Sequence, residues 1–239
     1  MINEIISDVK KKSFNKLTFQ QTAILNHLHL AKNSETIVLH GHSVGVTHLT
    51  ATLVNELINE KNIKIQVVTP NERIFDILYR ECQNLSTVPK SKTNLNNLEN
   101  HIKSEYSDSN KRLSWAKYNF IILEEADELS QEAFDLVDYY KAHFTNIKVL
   151  ISANPINKES PLYRRCYKHP NVMSISSMKH PNVTCPKGFP FPFPDNPIRP
   201  QWIEEKLKAW TGNEKVVTFD NQNYGVQKSF VNRVLGQWK

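Results

Sequence analysis

Short apolar runs alternate along the chain with segments whose apolar residues recur every three or four positions. Thr36–Leu39 (TIVL), Ile63–Val68 (IKIQVV), Phe120–Leu123 (FIIL), Ile147–Ser152 (IKVLIS) and Val172–Ile175 (VMSI) are brief and rich in β-branched residues. Such runs predict strands buried on both faces. Between them, Leu49, Leu53 and Leu57 recur at helical spacing, as do Ile74, Ile77, Leu78 and Cys82. The second helix is announced by Thr69-Pro70-Asn71-Glu72, which reads as a capping box with proline at the first helical position. Ser130 is placed to cap a third helix, with Phe134, Val137 and Tyr140 facing inward. Strands alternating with helices predict an α/β fold, a parallel sheet sandwiched by helices.

Residues 86–110 break this rhythm, being polar and asparagine-rich with a modest helical pattern at Leu95, Leu98 and Ile102, and read as a surface excursion. A second break comes near residue 180. Six of the twelve prolines lie between Pro186 and Pro200, interleaved with Phe189, Phe191 and Phe193, which predicts an extended connector. Two short helical patterns follow, Trp202/Ile203/Leu207/Trp210 and Phe230/Val231/Val234/Leu235. The expected organisation is an α/β domain over residues 1–180, then a connector and small helical subdomain over 181–239. Lys-His-Pro-Asn-Val occurs at 168–172 and again at 179–183, too little for a repeat architecture.

The 239 residues are 39% apolar, enough for a well-buried core, and carry a net charge of +6 that permits contact with polyanions. No apolar run reaches the roughly 18 residues of a membrane span, and the N-terminus lacks the apolar stretch of a secretory signal. The expectation is a soluble, intracellular, non-secreted protein. Three scattered cysteines suit a reducing compartment better than a disulfide framework.

Two of the six glycines fall within His40-Gly41-His42-Ser43-Val44-Gly45-Val46-Thr47, between a predicted strand and a predicted helix. Phosphate binding there needs backbone N–H groups converging on an anion at a helix N-terminus. Gly45 and Thr47 fit the end of G-x-x-x-x-G-K-[ST], with the Thr47 hydroxyl available to Mg²⁺. Val46 stands where the lysine belongs and His40 where the first glycine belongs, so an ordinary strand-to-helix turn is the alternative. Glu124 and Glu125 end the FIIL strand at the tip where parallel sheets place ligands. The first carboxylate would serve Mg²⁺ and the second would deprotonate the attacking water, unless both belong to a solvated acidic helix start with Asp127 and Glu128. Ser152 and Asn154, at the next strand tip, are placed to sense a γ-phosphate. Gln20 or Gln21 offers an amide able to read an adenine edge.

Taken together, these residues resemble the ATPase domain of the large terminase subunit of tailed bacteriophages, the motor that packages DNA into capsids. SISSMKHPNV at 174–183 is similar to that family's segment ending in His-Pro-Asn-Val. RPQWIEEKLKAWTGN at 199–213 is similar to its Trp-containing helix, and SFVNRVLGQWK at 229–239 to the stretch that ends its ATPase region. The resemblance implies a P-loop NTPase-type sheet of the ASCE class, with ATP and Mg²⁺ as cofactors. It implies phosphate contacts from His40 to Thr47 (Gly41, His42, Ser43, Val44, Gly45 and Val46 between them), Mg²⁺ at Thr47 and Glu124, catalysis by Glu125, and coupling through Ser152, Ala153 and Asn154. Adenine contact falls to Gln20 or Gln21. Implied partners are double-stranded DNA, further copies of the chain on a portal or procapsid, and a small terminase subunit, in the cytoplasm of a bacterial host. The family continues into a nuclease domain where this chain stops at Lys239, so no nuclease activity is expected.

Two departures stand out: Val46 replaces the lysine, and His42 stands near the place of the arginine that many relatives carry in the loop. They open the alternative of a catalytically impaired relative acting as a DNA- or protein-binding module. They also predict weak Mg-ATP binding, strengthened by Val46→Lys, with His40 or His42 as substitute cations. Other constellations are a Cys166/His169 and His180/Cys185 set that could be drawn as a zinc site, and Arg164 or Arg165 as a finger toward a neighbouring subunit.

Overall fold

The computed structural model describes residues 2–12, 17–30, 35–57, 65–85, 118–144, 147–169, 172–186 and 188–238. The asparagine-rich excursion and the start of the IKIQVV run lie outside the described residues. The five predicted strands form as β1 (Glu35–His40), β2 (Ile65–Val68), β3 (Phe120–Leu123), β4 (Lys148–Ala153) and β5 (Val172–Ile175). They make one parallel sheet in the order β2-β3-β4-β1-β5. Because β4 lies between β3 and β1, the tip after the acidic strand and the loop after β1 flank a third tip ending in Ser152, Ala153 and Asn154.

Alternation along the strands divides the core between two faces. Val38, Val67, Ile122 and Leu150 face α1 (Ile2–Lys12), α2 (Phe19–Leu30), α3 (Val46–Leu57) and α4 (Glu72–Leu85), whose Val9, Leu25, Leu28, Leu53, Leu57 and Leu78 are buried against them. Ile37, Ile121, Val149 and Ile151 face the other side. There α5 (Gln131–His143) contributes Phe134, Val137 and Tyr140, as its spacing predicts, and α6 (Pro161–Lys168) contributes Leu162. No helix among the described residues is long and apolar enough to cross a membrane.

Two helix starts differ from the sequence reading. Helix α4 begins at Glu72 and not at Pro70, because Asn71 competes as the cap: its Oδ1 accepts the Ile74 N–H at 3.2 Å. The missed signal is Thr18-Phe19-Gln20-Gln21. The Thr18 hydroxyl accepts the Gln21 N–H at 3.1 Å while Gln21 Oε1 accepts the Thr18 N–H at 2.8 Å, the reciprocal pair of a capping box.

After β5 the chain makes the short α7 (Pro181–Thr184), then the proline-rich connector. Buried Asn182 organises that connector, accepting the Phe193 N–H at 2.9 Å and donating to the carbonyls of Phe193 at 2.7 Å and Ile198 at 3.2 Å. To the two predicted C-terminal helices, α8 (Pro200–Ala209) and α9 (Lys228–Arg233), the structure adds an antiparallel hairpin, β6 (Thr211–Phe219) and β7 (Gln222–Val226). Ile203, Leu207, Val217, Val226, Phe230 and Val234 form its small core. The segment after α9 folds back onto the main sheet: the Ser177 N–H donates to the Val234 carbonyl at 2.8 Å and the Ser174 hydroxyl to the Gly236 carbonyl at 2.9 Å.

Candidate functional site

The loop between β1 and α3 is pinned from three sides. Gly41 N–H donates to the Ile175 carbonyl at 2.8 Å, His42 N–H to the Arg233 carbonyl at 2.6 Å, and the Ser177 hydroxyl to the His42 carbonyl at 2.7 Å. A Cβ on Gly41 would fall 2.3 Å from the Val234 carbonyl oxygen, so the close passage of two backbones requires glycine there. Ser43 and Gly45 have φ of 61° and 80°, the left-handed conformation that turns successive amides to one side. Among the described residues, the backbone N–H groups of Ser43 through His48 find no hydrogen-bond acceptor. They line the start of a twelve-residue helix whose dipole favours an anion.

These amides open into a cavity of about 1030 Å³. It is also lined by His40, Glu125, Asn154, Arg73, Arg233 and connector residues Pro192 to Pro197. Two buried polar atoms of its lining residues lack partners among the described residues, His40 Nε2 and Asn154 Oδ1. Unsatisfied groups of this kind in a polar cavity are the usual mark of a ligand or water site.

Beneath the loop lies Glu124, 1% exposed. Its Oε1 accepts the Thr47 hydroxyl at 2.8 Å, and its Oε2 accepts the hydroxyls of Ser152 at 2.6 Å and Thr50 at 3.3 Å. Burial pushes this carboxyl above its ordinary range, and the hydrogen bonds from Ser152 and Thr47 pull against that rise. Glu125 follows at φ 51°, ψ 45°, a strained backbone for a residue with a side chain, and faces the cavity. The solvated acidic cluster is overturned: besides the buried Glu124, Asp127 is 6% exposed and ties the β4 exit to the acidic tip. Its Oδ2 accepts the N–H groups of Ile156 and Asn157, each at 2.7 Å, and its Oδ1 accepts the Ser160 hydroxyl at 2.7 Å.

The remaining predicted residues fall at or around the loop. Gln21 Nε2 donates to the Gly45 carbonyl at 2.7 Å, so its amide braces the loop as well as the α2 cap. Gln20 Nε2 donates to the Ser176 carbonyl at 2.9 Å, behind the loop. Val46, 2% exposed, belongs to the α3 core. Burial and the neighbouring Arg233 charge push the His42 imidazole below its ordinary 6.5, which leaves it uncharged at neutral pH. The Cys166/His169 and His180/Cys185 pairs sit at opposite ends of β1. His169 Nε2 is 3.6 Å from Glu35 at its start, whereas His180 follows Ser177, which is bonded to the loop beyond its end. Arg165 is bound at home, 2.7 Å from Glu35 and 2.6 Å from Asp138, which removes it as a finger.

No family model matches the sequence, and no curated protein matches it either. Among solved structures the chain is similar to the ATPase domain of the Thermus phage P74-26 large terminase, in a point-mutant form. That match has a TM-score of 0.55 and 13% identity, over 90% of this chain and 93% of that one. A second structure of that domain matches at TM-score 0.47 and 16% identity, over 66% of this chain and 80% of that one. The HK97 bacteriophage large terminase matches at 0.49 and 14%, over 66% of this chain; only 38% of that longer protein is spanned. On the match that takes in nearly all of both chains, this protein has the α/β fold of a phage large-terminase ATPase domain.

Proposed function

We propose that this chain is the ATPase domain of a terminase-type motor that moves double-stranded DNA into a procapsid. The observation that carries the reading is the convergence of the Thr47 and Ser152 hydroxyls on the buried Glu124 carboxylate, beneath a loop of unbonded N–H groups. In this reading the amides of Ser43 to Thr47 hold the phosphates, with His40, Gly41 and His42 shaping the entry to the loop. The Thr47 hydroxyl and Glu124 hold Mg²⁺. The bound metal supplies positive charge against the phosphate oxygens. Glu125 takes the proton of the attacking water, and Asn154, with Ser152 and Ala153 behind it, reads the γ-phosphate from the neighbouring strand. Gln21 positions the loop with both ends of its amide bonded, and Gln20 lies outside the cavity lining, so neither is assigned to the adenine. Residues 1–180 form the motor domain and 181–239 a connector and linker subdomain. The partners are duplex DNA, further copies of the chain on a portal or procapsid, and a small terminase subunit, in the bacterial cytoplasm.

The test is ATP turnover with and without duplex DNA, in wild type and Glu125→Gln. A general base contributes about 10²- to 10⁴-fold, so Glu125→Gln is expected to lose turnover by that factor; equal rates in the two proteins would remove the assignment. A second reading is favoured by one observation, the burial of Val46 where a lysine would reach the phosphates. In it the chain is a non-hydrolysing relative that binds DNA or motor subunits, and Mg-ATP binding without turnover in either protein is its signature.

A further inference from the structure

The cavity is lined by two arginines, Arg73 and Arg233, and by no lysine among the described residues. With Val46 in the core, a polyphosphate there would meet backbone amides and a helix dipole but no lysine. The two arginines differ in how they are held. Arg73 is exposed on the first turn of α4. Arg233 ends α9 with its carbonyl bonded to the His42 N–H at 2.6 Å, which fixes its α-carbon beside the loop. Its guanidinium makes no hydrogen bond and no ion pair among the described residues. Its charge is the strongest single charge acting on His42. His42 is uncharged at neutral pH, and Lys206 lies over the rings of Trp202 and Trp210.

We infer that Arg233, supplied by the C-terminal subdomain, is the cation that binds the nucleotide phosphates in place of the absent loop lysine. The inference rests on the nucleotide-site reading given above. A guanidinium is permanently charged and pairs two N–H groups with phosphate oxygens, so it can serve this role from outside the loop. It also makes phosphate binding depend on the docking of α9, as a loop lysine would not.

Calorimetric titration of the full chain with Mg-ATP tests this, using wild type, Arg233→Met, Arg233→Lys and Arg80→Ala, the last a surface charge loss on α4 outside the cavity lining. Losing a charge-assisted hydrogen bond is worth roughly ten- to a hundredfold in affinity. Arg233→Met is expected to weaken binding by that factor, Arg233→Lys to recover part of it, and Arg80→Ala to match wild type. Val46→Lys placed on Arg233→Met is expected to restore binding, which separates a missing charge from a damaged fold. Wild type binding as Arg233→Met does, or the loss appearing in Arg73→Ala instead, would overturn the inference and leave the site reading intact. Binding by Val46→Lys alone, with none in wild type, would overturn it likewise. Absence of binding in wild type and Val46→Lys together would overturn both.

Discussion

The Ser152 hydroxyl donates to Glu124 Oε2 across 2.6 Å, joining the tips of two neighbouring strands. That bond matters because Glu124 is buried and the hydrogen bonds to its carboxyl come from the hydroxyls of Ser152, Thr47 and Thr50. Ser152→Ala is expected to cost about 1–3 kcal/mol, the penalty for leaving a buried acceptor short of a donor. Urea unfolding measures it, and a variant as stable as wild type would mean that Thr47 and Thr50 suffice.

Glu35 opens β1 fully buried, 2.6 Å from Lys141 and 2.7 Å from Arg165. Burial alone would raise its carboxyl, but Arg165 and Lys141 outweigh that and hold it at about 2. Removing one partner of a buried pair typically costs about 3–5 kcal/mol. Arg165→Met should therefore lower the unfolding midpoint strongly, whereas Arg164→Ala should change stability by no more than about 0.5 kcal/mol. Comparable effects from the two substitutions would sink this assignment.

His180 is buried and accepts the Asn182 N–H at 3.2 Å, which requires an unprotonated Nδ1. Burial, helped by Arg199, pushes it from 6.5 to about 4. Below 6.5 the unfolded chain takes up the proton first, so stability is full above that value and lost as pH falls through about 4. Glu35 loses its own contribution between 4.5 and about 2, so it overlaps this window only at its lower end. His180→Asn keeps a capping acceptor without the titration and is expected to flatten the decline between pH 6.5 and 4. Denaturant midpoints across that range check it; an unchanged slope would assign the decline elsewhere.

Gly41→Ala would drive a methyl group into the Val234 carbonyl and the Ser177 hydroxyl. Overpacking against backbone costs about 1–3 kcal/mol. The same change is expected to weaken Mg-ATP binding, because the bond from His42 to Arg233 lies at the point of collision. Thermal unfolding and titration of the variant read the two effects separately.

The sheet was legible because its signals are local: five apolar runs, a glycine pair after one of them and two carboxylates after another. The capping box at Thr18 is equally local. The β6–β7 hairpin was hidden because only Val217 and Val226 of its strands are buried, although the turn at Asp220-Asn221, with φ of 47° and 63°, is a recognisable two-residue hairpin signal. The burial of Glu35 depends on Lys141 and Arg165, more than a hundred residues away in sequence. Arg233 is likewise 191 positions from His42, and no spacing rule links them.

Where Gly41 passes the Val234 carbonyl, and where Gly236 passes His40 and Gly41, main chain rests on main chain with no side chain between. Side chains ordinarily cushion such contacts, since rotamers can shift before a backbone moves. Here that compliance is missing. A tilt of α9 would therefore press on residues 40–42 through backbone contacts.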